Sequence, residues 1–361
     1  MKTKFLIFCY TSFGNSILKI TLIYNLRKVY PDSQIDIICD RDSITTELLR
    51  KTTFVNEIIY FDIKDNLSLF LMFRSSINRR CYDFIFLPFD STPSWFWFLA
   101  PTFDRSKLVA HYNLMVHSKF RLIREYAKLI LVRCNWVPVL KGRHEVDLNL
   151  DLIEAISLTP FTRERTPSIK IKRKRTEKKL PKKYLALQIS ARDGKQTPKT
   201  WKPQNFINLI NLWREKHPLF EFILVGNLGD REYFEKSFNG FRKNFVHNLL
   251  GETDLDELIF ILRNASAIVV HDSGLMHLSN LLNIPLIALY GPTDFTRTAP
   301  LGINSNILFS KKKECWAAMY GFRIDEDDLN KTHEQYECME GISPHDVIDK
   351  LEEIIIDIHP R

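Results

Sequence analysis

The chain has 361 residues, 45% of them hydrophobic and 26% charged. This composition excludes a disordered, collagen-like or disulfide-stapled chain and leaves room for two cores. The net charge of +8 is local: residues 163–183 hold eleven basic and two acidic side chains, so the remainder is near −1. A nucleic-acid binder would carry such charge along a face or groove, so that class is disfavoured.

In chain order, residues 4–10 form a short apolar run, 11–15 a polar turn, and 17–29 an apolar stripe at helical spacing that ends before Pro31. Residues 34–39 are apolar again. Strand, turn, helix and strand in succession open a parallel α/β sheet. The first run imitates a leader for a moment, but its apolar core is too short and no cleavage site follows. Residues 55–61 and 83–87 predict further strands, with helical patterns over 67–77 and 119–133. The pattern weakens after Pro138. The basic run over 163–183, punctuated by Pro167 and Pro181, predicts a solvated linker.

A second series starts at Tyr184. Strands are predicted over 184–189, 220–225, 267–270 and 286–289, and helices over 206–216, 255–263 and 275–282. The expected organisation is a domain over 1–160, the linker over 161–183 and a domain over 184–361, both doubly wound. No stretch reaches the roughly 18 apolar residues of a spanning helix, so a soluble cytoplasmic chain is expected. The six cysteines, Cys9, Cys39, Cys81, Cys134, Cys315 and Cys338, make no C-x-x-C pair and no metal-like cluster. Whether Cys315 and Cys338 meet is left open at this stage.

The densest chemical signal is the segment from Ala267 to Leu278, AIVVHDSGLMHL, in which a buried strand runs through a polar turn straight into a helix. Helix N-termini offer unpaired N–H groups and a partial positive charge, which suit an anion. Gly274 allows close approach, Ser273 offers a hydroxyl, and Asp272 suits a cap.

That segment, followed by IPLIALYGPTD over 284–294, resembles the C-terminal signature of glycosyltransferase family 9, the ADP-heptose:lipopolysaccharide heptosyltransferases. KTWKP over 199–203, ILVGNLGDRE over 223–232 and LGETDLDEL over 250–258 resemble three further family elements in the same order. SFGNSIL over 12–18 sits where the family has S-x-G-D. The resemblance implies a GT-B fold: two Rossmann-like domains facing across a cleft, with the nucleotide-sugar donor on the C-terminal domain and the acceptor on the N-terminal one.

It also implies inverting transfer of heptose from ADP-heptose to a lipopolysaccharide core acceptor, with no cofactor and no metal. On this reading Lys199 is the cation for the diphosphate. Ser273, Gly274 and the helix start supply donors, with Asp272 and His277 beside them. Gly226 and Asp230 are candidates for the nucleotide. The family base falls on Asn15, which cannot accept a proton at neutral pH. Asp90 is the candidate replacement. Arg79, Arg80, Arg121 and Arg124 are candidates for an anionic acceptor. Residues 163–183 could also hold the chain at an anionic inner-membrane surface. Alternatives are another donor, a protein acceptor, or a non-catalytic nucleotide-sugar or glycan binder.

Overall fold

A computed structural model describes residues 2–9, 12–39, 44–60, 75, 77, 79–89, 104–111, 134–140, 142–167, 169, 171, 178–191, 194–195, 197–310 and 337–358. The chain divides into two compact units, Met1–Lys172 and Arg173–Arg361.

Unit 1 holds β1 (Lys4–Phe8), α1 (Phe13–Val29), β2 (Gln34–Cys39), α2 (Ile44–Arg50), β3 (Glu57–Tyr60), β4 (Phe84–Leu87), β5 (Leu108–His111), β6 (Asn135–Val137) and α3 (Glu145–Glu154). Its strands make one parallel sheet in the order β3-β2-β1-β4-β5-β6. Unit 2 holds β7 (Tyr184–Leu187), α4 (Pro203–Lys216), β8 (Glu221–Leu224), α5 (Leu228–Ser237), β9 (Val246–Asn248), α6 (Leu255–Asn264), β10 (Ala267–His271), α7 (Gly274–Leu281), β11 (Leu286–Tyr290), α8 (Phe295–Thr298), β12 (Ser305–Phe309) and α9 (Pro344–Ile358). Its sheet is also parallel, in the order β12-β11-β10-β7-β8-β9. Both orders are the doubly wound Rossmann arrangement, so each unit has the expected fold class.

The central strands β1, β7, β10 and β11 are almost wholly buried, which is why they read as apolar runs without alternation. Trp201, Phe206, Trp213 and Phe222 fill the core beside the sheet of unit 2. Helix α3 escaped the sequence reading for a physical reason. Val146, Leu148, Leu150 and Leu152 alternate as a strand would, and the helix tolerates this because seven of its ten residues are buried. Strands β6 and β9 have three residues each, too few to carry a period. The helical patterns over 67–77 and 119–133 lie wholly or mostly outside the described residues.

The basic run is less solvated than predicted. The backbone of Glu164 exchanges hydrogen bonds with the buried Asn25 amide of α1, at 2.9 Å in both directions. Arg163 pairs with Asp151 at 2.7 Å and Arg165 with Asp147 at 2.8 Å. In unit 2, Lys178 reaches Glu257 at 3.3 Å. Three cations of the run are thus committed to acids of their own unit, which reduces the charge it can present to a membrane. Among the described residues, no helix is long and apolar enough to cross a bilayer. Cys338 is disulfide-bonded, whereas Cys9, Cys39, Cys81 and Cys134 are thiols.

Candidate functional site

In a doubly wound sheet, ligands gather at the carboxyl ends of the strands, where the winding direction reverses. In unit 2 that point lies between β7 and β10, which are neighbours. The loops leaving them carry Gln188, Ser190, Gly194 and Lys199 from one side and Asp272, Ser273 and Gly274 from the other. Four polar contacts join them. The Gln188 side-chain oxygen accepts from the Ser273 hydroxyl at 2.8 Å and from the His271 N–H at 3.2 Å. The Lys199 ammonium donates to Asp272 at 3.2 Å. The Trp201 N–H donates to Nε2 of the buried His271 at 3.0 Å.

Lys199 sits at the tip of a turn. The Thr200 N–H closes it onto the Thr197 carbonyl at 2.9 Å, and Pro198 supplies the fixed φ that favours the second position. Thr200 and Trp201, both fully buried, anchor the turn, while the Lys199 side chain keeps a quarter of its surface exposed. Burial alone would raise the Asp272 carboxyl. Lys199 and His277, with help from Thr293, outweigh that and hold it below the usual carboxylate range. The result is a largely buried anion with a cation one quarter exposed over it.

The N-terminus of α7 is arranged differently from those of two neighbours. Helix α5 is closed by a capping box of Asn227 and Asp230, and α6 by one of Asp254 and Glu257. At α7 the cap residue is Ser273 rather than Asp272; its side chain makes no capping bond, and its hydroxyl donates to Gln188. The first-turn amides of α7 are left without a side-chain cap, a short distance along the chain from Asp272 and its partner Lys199. His277 is buried on that same helix. Uncapped amides with an ammonium close by in the chain's fold are a donor set chemically suited to an anion.

Asp230 and Gly226 have a structural task here. One Asp230 oxygen accepts from the Ser190 hydroxyl at 2.5 Å and the Gly194 N–H at 2.9 Å, and the other from the Asn227 N–H at 2.8 Å. A Cβ on Gly226 would stand 2.3 Å from that second oxygen. Asp230 therefore ties the loop after β7 to the start of α5, one oxygen accepting from that loop and the other from Asn227. Gly194 has φ +66°, and a Cβ there would fall 1.8 Å from the Gly229 carbonyl. Gly194→Ala is expected to cost roughly 2–4 kcal/mol of unit 2 stability, from the overlap and the left-handed backbone together. Urea melts would measure this, and a loss under 0.5 kcal/mol, roughly that of a neutral surface change, would overturn it.

In unit 1, Asn15 lies on the first turn of α1, just past the carboxyl end of β1, and that turn carries no acidic side chain. Arg79 and Arg80 do not share this edge. They precede β4, at the amino end of the parallel sheet, where the Arg80 side chain bonds both oxygens of Glu57 and Arg79 bonds Ser75. Chain direction alone puts them opposite the strand ends where a doubly wound unit builds its site. Asp90, Arg121 and Arg124 lie outside the described residues. Among the described residues, no group of three or more His, Cys, Asp or Glu side chains is gathered to hold a metal.

Gln188, Ser190 and His271 were missed as site residues in the sequence. Gln188 left a trace, being the one polar side chain in the apolar run from Tyr184 to Ile189. His271 left none, because a histidine ending a buried strand reads as packing.

Comparison with known proteins bears on this arrangement. The family model described as glycosyltransferase family 9 (heptosyltransferase) matches residues 103–320. Lipooligosaccharide heptosyltransferase 2 of Haemophilus influenzae is 34% identical over 119 residues, 31% of this chain and 30% of that protein. The aligned stretch thus spans about a third of that relative. Lipopolysaccharide heptosyltransferase 3 of Escherichia coli K12 is 22% identical over 96% of both chains. The solved ADP-heptose heptosyltransferase II of E. coli superposes with a TM-score of 0.69 at 19% identity, over 99% of both chains. The family model covers well over half of the chain and contains the whole Lys199, Asp272 and α7 arrangement, and on that ground the chain belongs to glycosyltransferase family 9.

Proposed function

We propose that this chain is a glycosyltransferase that moves heptose from ADP-heptose to a lipopolysaccharide core acceptor, with inversion at the anomeric carbon. The observation that carries the reading is the Lys199–Asp272 pair, two residues before an uncapped α7 N-terminus, at the switch point of unit 2. As the sugar–phosphate bond breaks, negative charge grows on the diphosphate. Fixed N–H dipoles and an ammonium oppose that charge without reorganising. A donor set of amides and one lysine needs no divalent ion, so binding and turnover are expected to survive chelation.

The acceptor hydroxyl attacks the opposite side of the anomeric carbon. Asn15 at the first turn of α1 can orient that hydroxyl by hydrogen bonding but cannot take its proton. Base catalysis is typically worth about 10²–10⁴-fold. A chain relying on Asp90, or on no base at all, would still transfer, more slowly in the second case. Peripheral contact with an anionic inner-membrane surface is a secondary part of the proposal, resting on the excess of basic residues over 163–183. The absence of an acidic side chain on the first turn of α1 favours one other reading, a chain that binds the donor without transferring it.

Calorimetry with ADP, UDP and GDP, each with and without EDTA, tests the donor side. ADP is expected to bind at least tenfold more tightly than the others, unchanged by EDTA. A preference for UDP or GDP, or ADP binding that EDTA abolishes, would overturn it. Turnover of ADP-heptose on a core acceptor separates enzyme from binder. Asn15→Asp is expected to raise that turnover, and a wild-type rate of zero with tight ADP binding would establish the non-catalytic reading.

A further inference from the structure

His271 and Trp201 make no approach to the surface, yet they connect the two loops on which the donor reading rests. His271 ends β10, with Nε2 accepting the Trp201 N–H at 3.0 Å. That bond needs a bare Nε2, so the neutral ring carries its proton on Nδ1. On the other side, the His271 N–H goes to the Gln188 oxygen that also takes the Ser273 hydroxyl. The Trp201 indole N–H donates to the Ile342 carbonyl at 2.9 Å, and its ring packs edge-on against Phe206 at 5.0 Å. Phe206 in turn meets the His271 ring at 5.7 Å. Trp201 lies two residues from Lys199 and directly follows the closed turn that presents it.

We propose that His271 and Trp201 are positioning residues for Lys199, the imidazole serving as a buried acceptor that sets the Lys199 turn at a fixed height beside the Asp272–Gly274 turn. This rests on the donor reading above and extends it. A lysine side chain is long and freely rotating, so its grip on a phosphate depends on where its backbone origin is held. Here that origin is held by one bond to β10 and one to the segment before α9. Both act on Trp201, which directly follows the turn, rather than on the ligand.

The test is a double-substitution cycle read by ADP calorimetry on the full chain, using His271→Leu, Lys199→Met and the pair. His271→Leu is expected to weaken ADP binding about tenfold in the native background and less than twofold when Lys199 is already methionine. His271→Gln, whose side-chain oxygen reaches about as far as Nε2, is expected to stay within about threefold of wild type. An equal penalty in both backgrounds, as a merely structural residue would give, overturns the proposal, and so does a glutamine variant no better than leucine. Should His271→Leu fail to fold, Trp201→Phe carries the same cycle. A loss of about threefold that vanishes with Lys199→Met supports the proposal, and a loss that persists overturns it. Wild-type chain that binds no ADP removes the donor reading and this inference together. Intact ADP binding, with a weak Lys199→Met variant and an undiminished His271→Leu penalty, removes this inference alone.

Discussion

Replacing Lys199 by methionine is expected to weaken ADP binding about a hundredfold, the upper range for one charge-assisted hydrogen bond. Two effects add. The diphosphate loses its cation, and Asp272, buried and now without its 3.2 Å ammonium partner, faces the ligand as a like charge. The second effect can be isolated. Adding Asp272→Asn to the methionine variant removes the stranded carboxylate and should recover part of the loss, about fivefold to tenfold. Lys199→Arg keeps the charge and should bind better than methionine but worse than lysine, since a planar guanidinium does not fill a point-charge site. Calorimetry on the three variants decides the matter. Undiminished affinity in Lys199→Met would end the phosphate assignment, and no recovery from Asp272→Asn would end the like-charge argument.

Mild acid should unfold the protein sooner than its carboxylates alone would require. Burial lowers His111, at the end of β5, to about 4, and His271 to about 3. In the unfolded chain both take up a proton near the ordinary histidine value of 6.5. Between these values the unfolded state binds more protons, so stability falls as pH drops below about 6.5. At about 1.4 kcal/mol per pH unit and group, each histidine removes roughly 3 kcal/mol by pH 4. Urea midpoints from pH 7 to 4.5 should fall steadily, and His271→Gln should flatten the slope for unit 2, and His111→Gln that for unit 1. A midpoint that stays level from pH 7 to 5, or variants that keep the wild-type slope, would overturn this.

Period and turn chemistry carried much of the fold. The buried runs of β1, β7, β10 and β11 and the stripe of α1 are each set by local burial, and local burial is written in consecutive residues. Helix α3 was lost because its alternating Val146, Leu148, Leu150 and Leu152 obey a strand's period while neighbours cover the helix nearly all round. The segment about Glu164 read as a linker because its charges are plain in the sequence, whereas the acids and the buried Asn25 that hold it lie elsewhere in the chain.

At the site, the turn Asp272-Ser273-Gly274 and Lys199 were legible as residue types suited to an anion, since a helix start and an ammonium are local properties. What each side chain does was decided only by tertiary contacts. Asp230 was free to face a nucleotide until the loop carrying Ser190 and Gly194 closed on it, and the Ser273 hydroxyl until Gln188, 85 positions earlier, claimed its proton. Arg79 and Arg80 were excluded from the strand-end edge by chain direction within a parallel sheet. A sequence states which hydrogen-bonding and charged groups exist. Which of them remain available to a ligand depends on how many are consumed by partners far along the chain, and only the folded structure settles that.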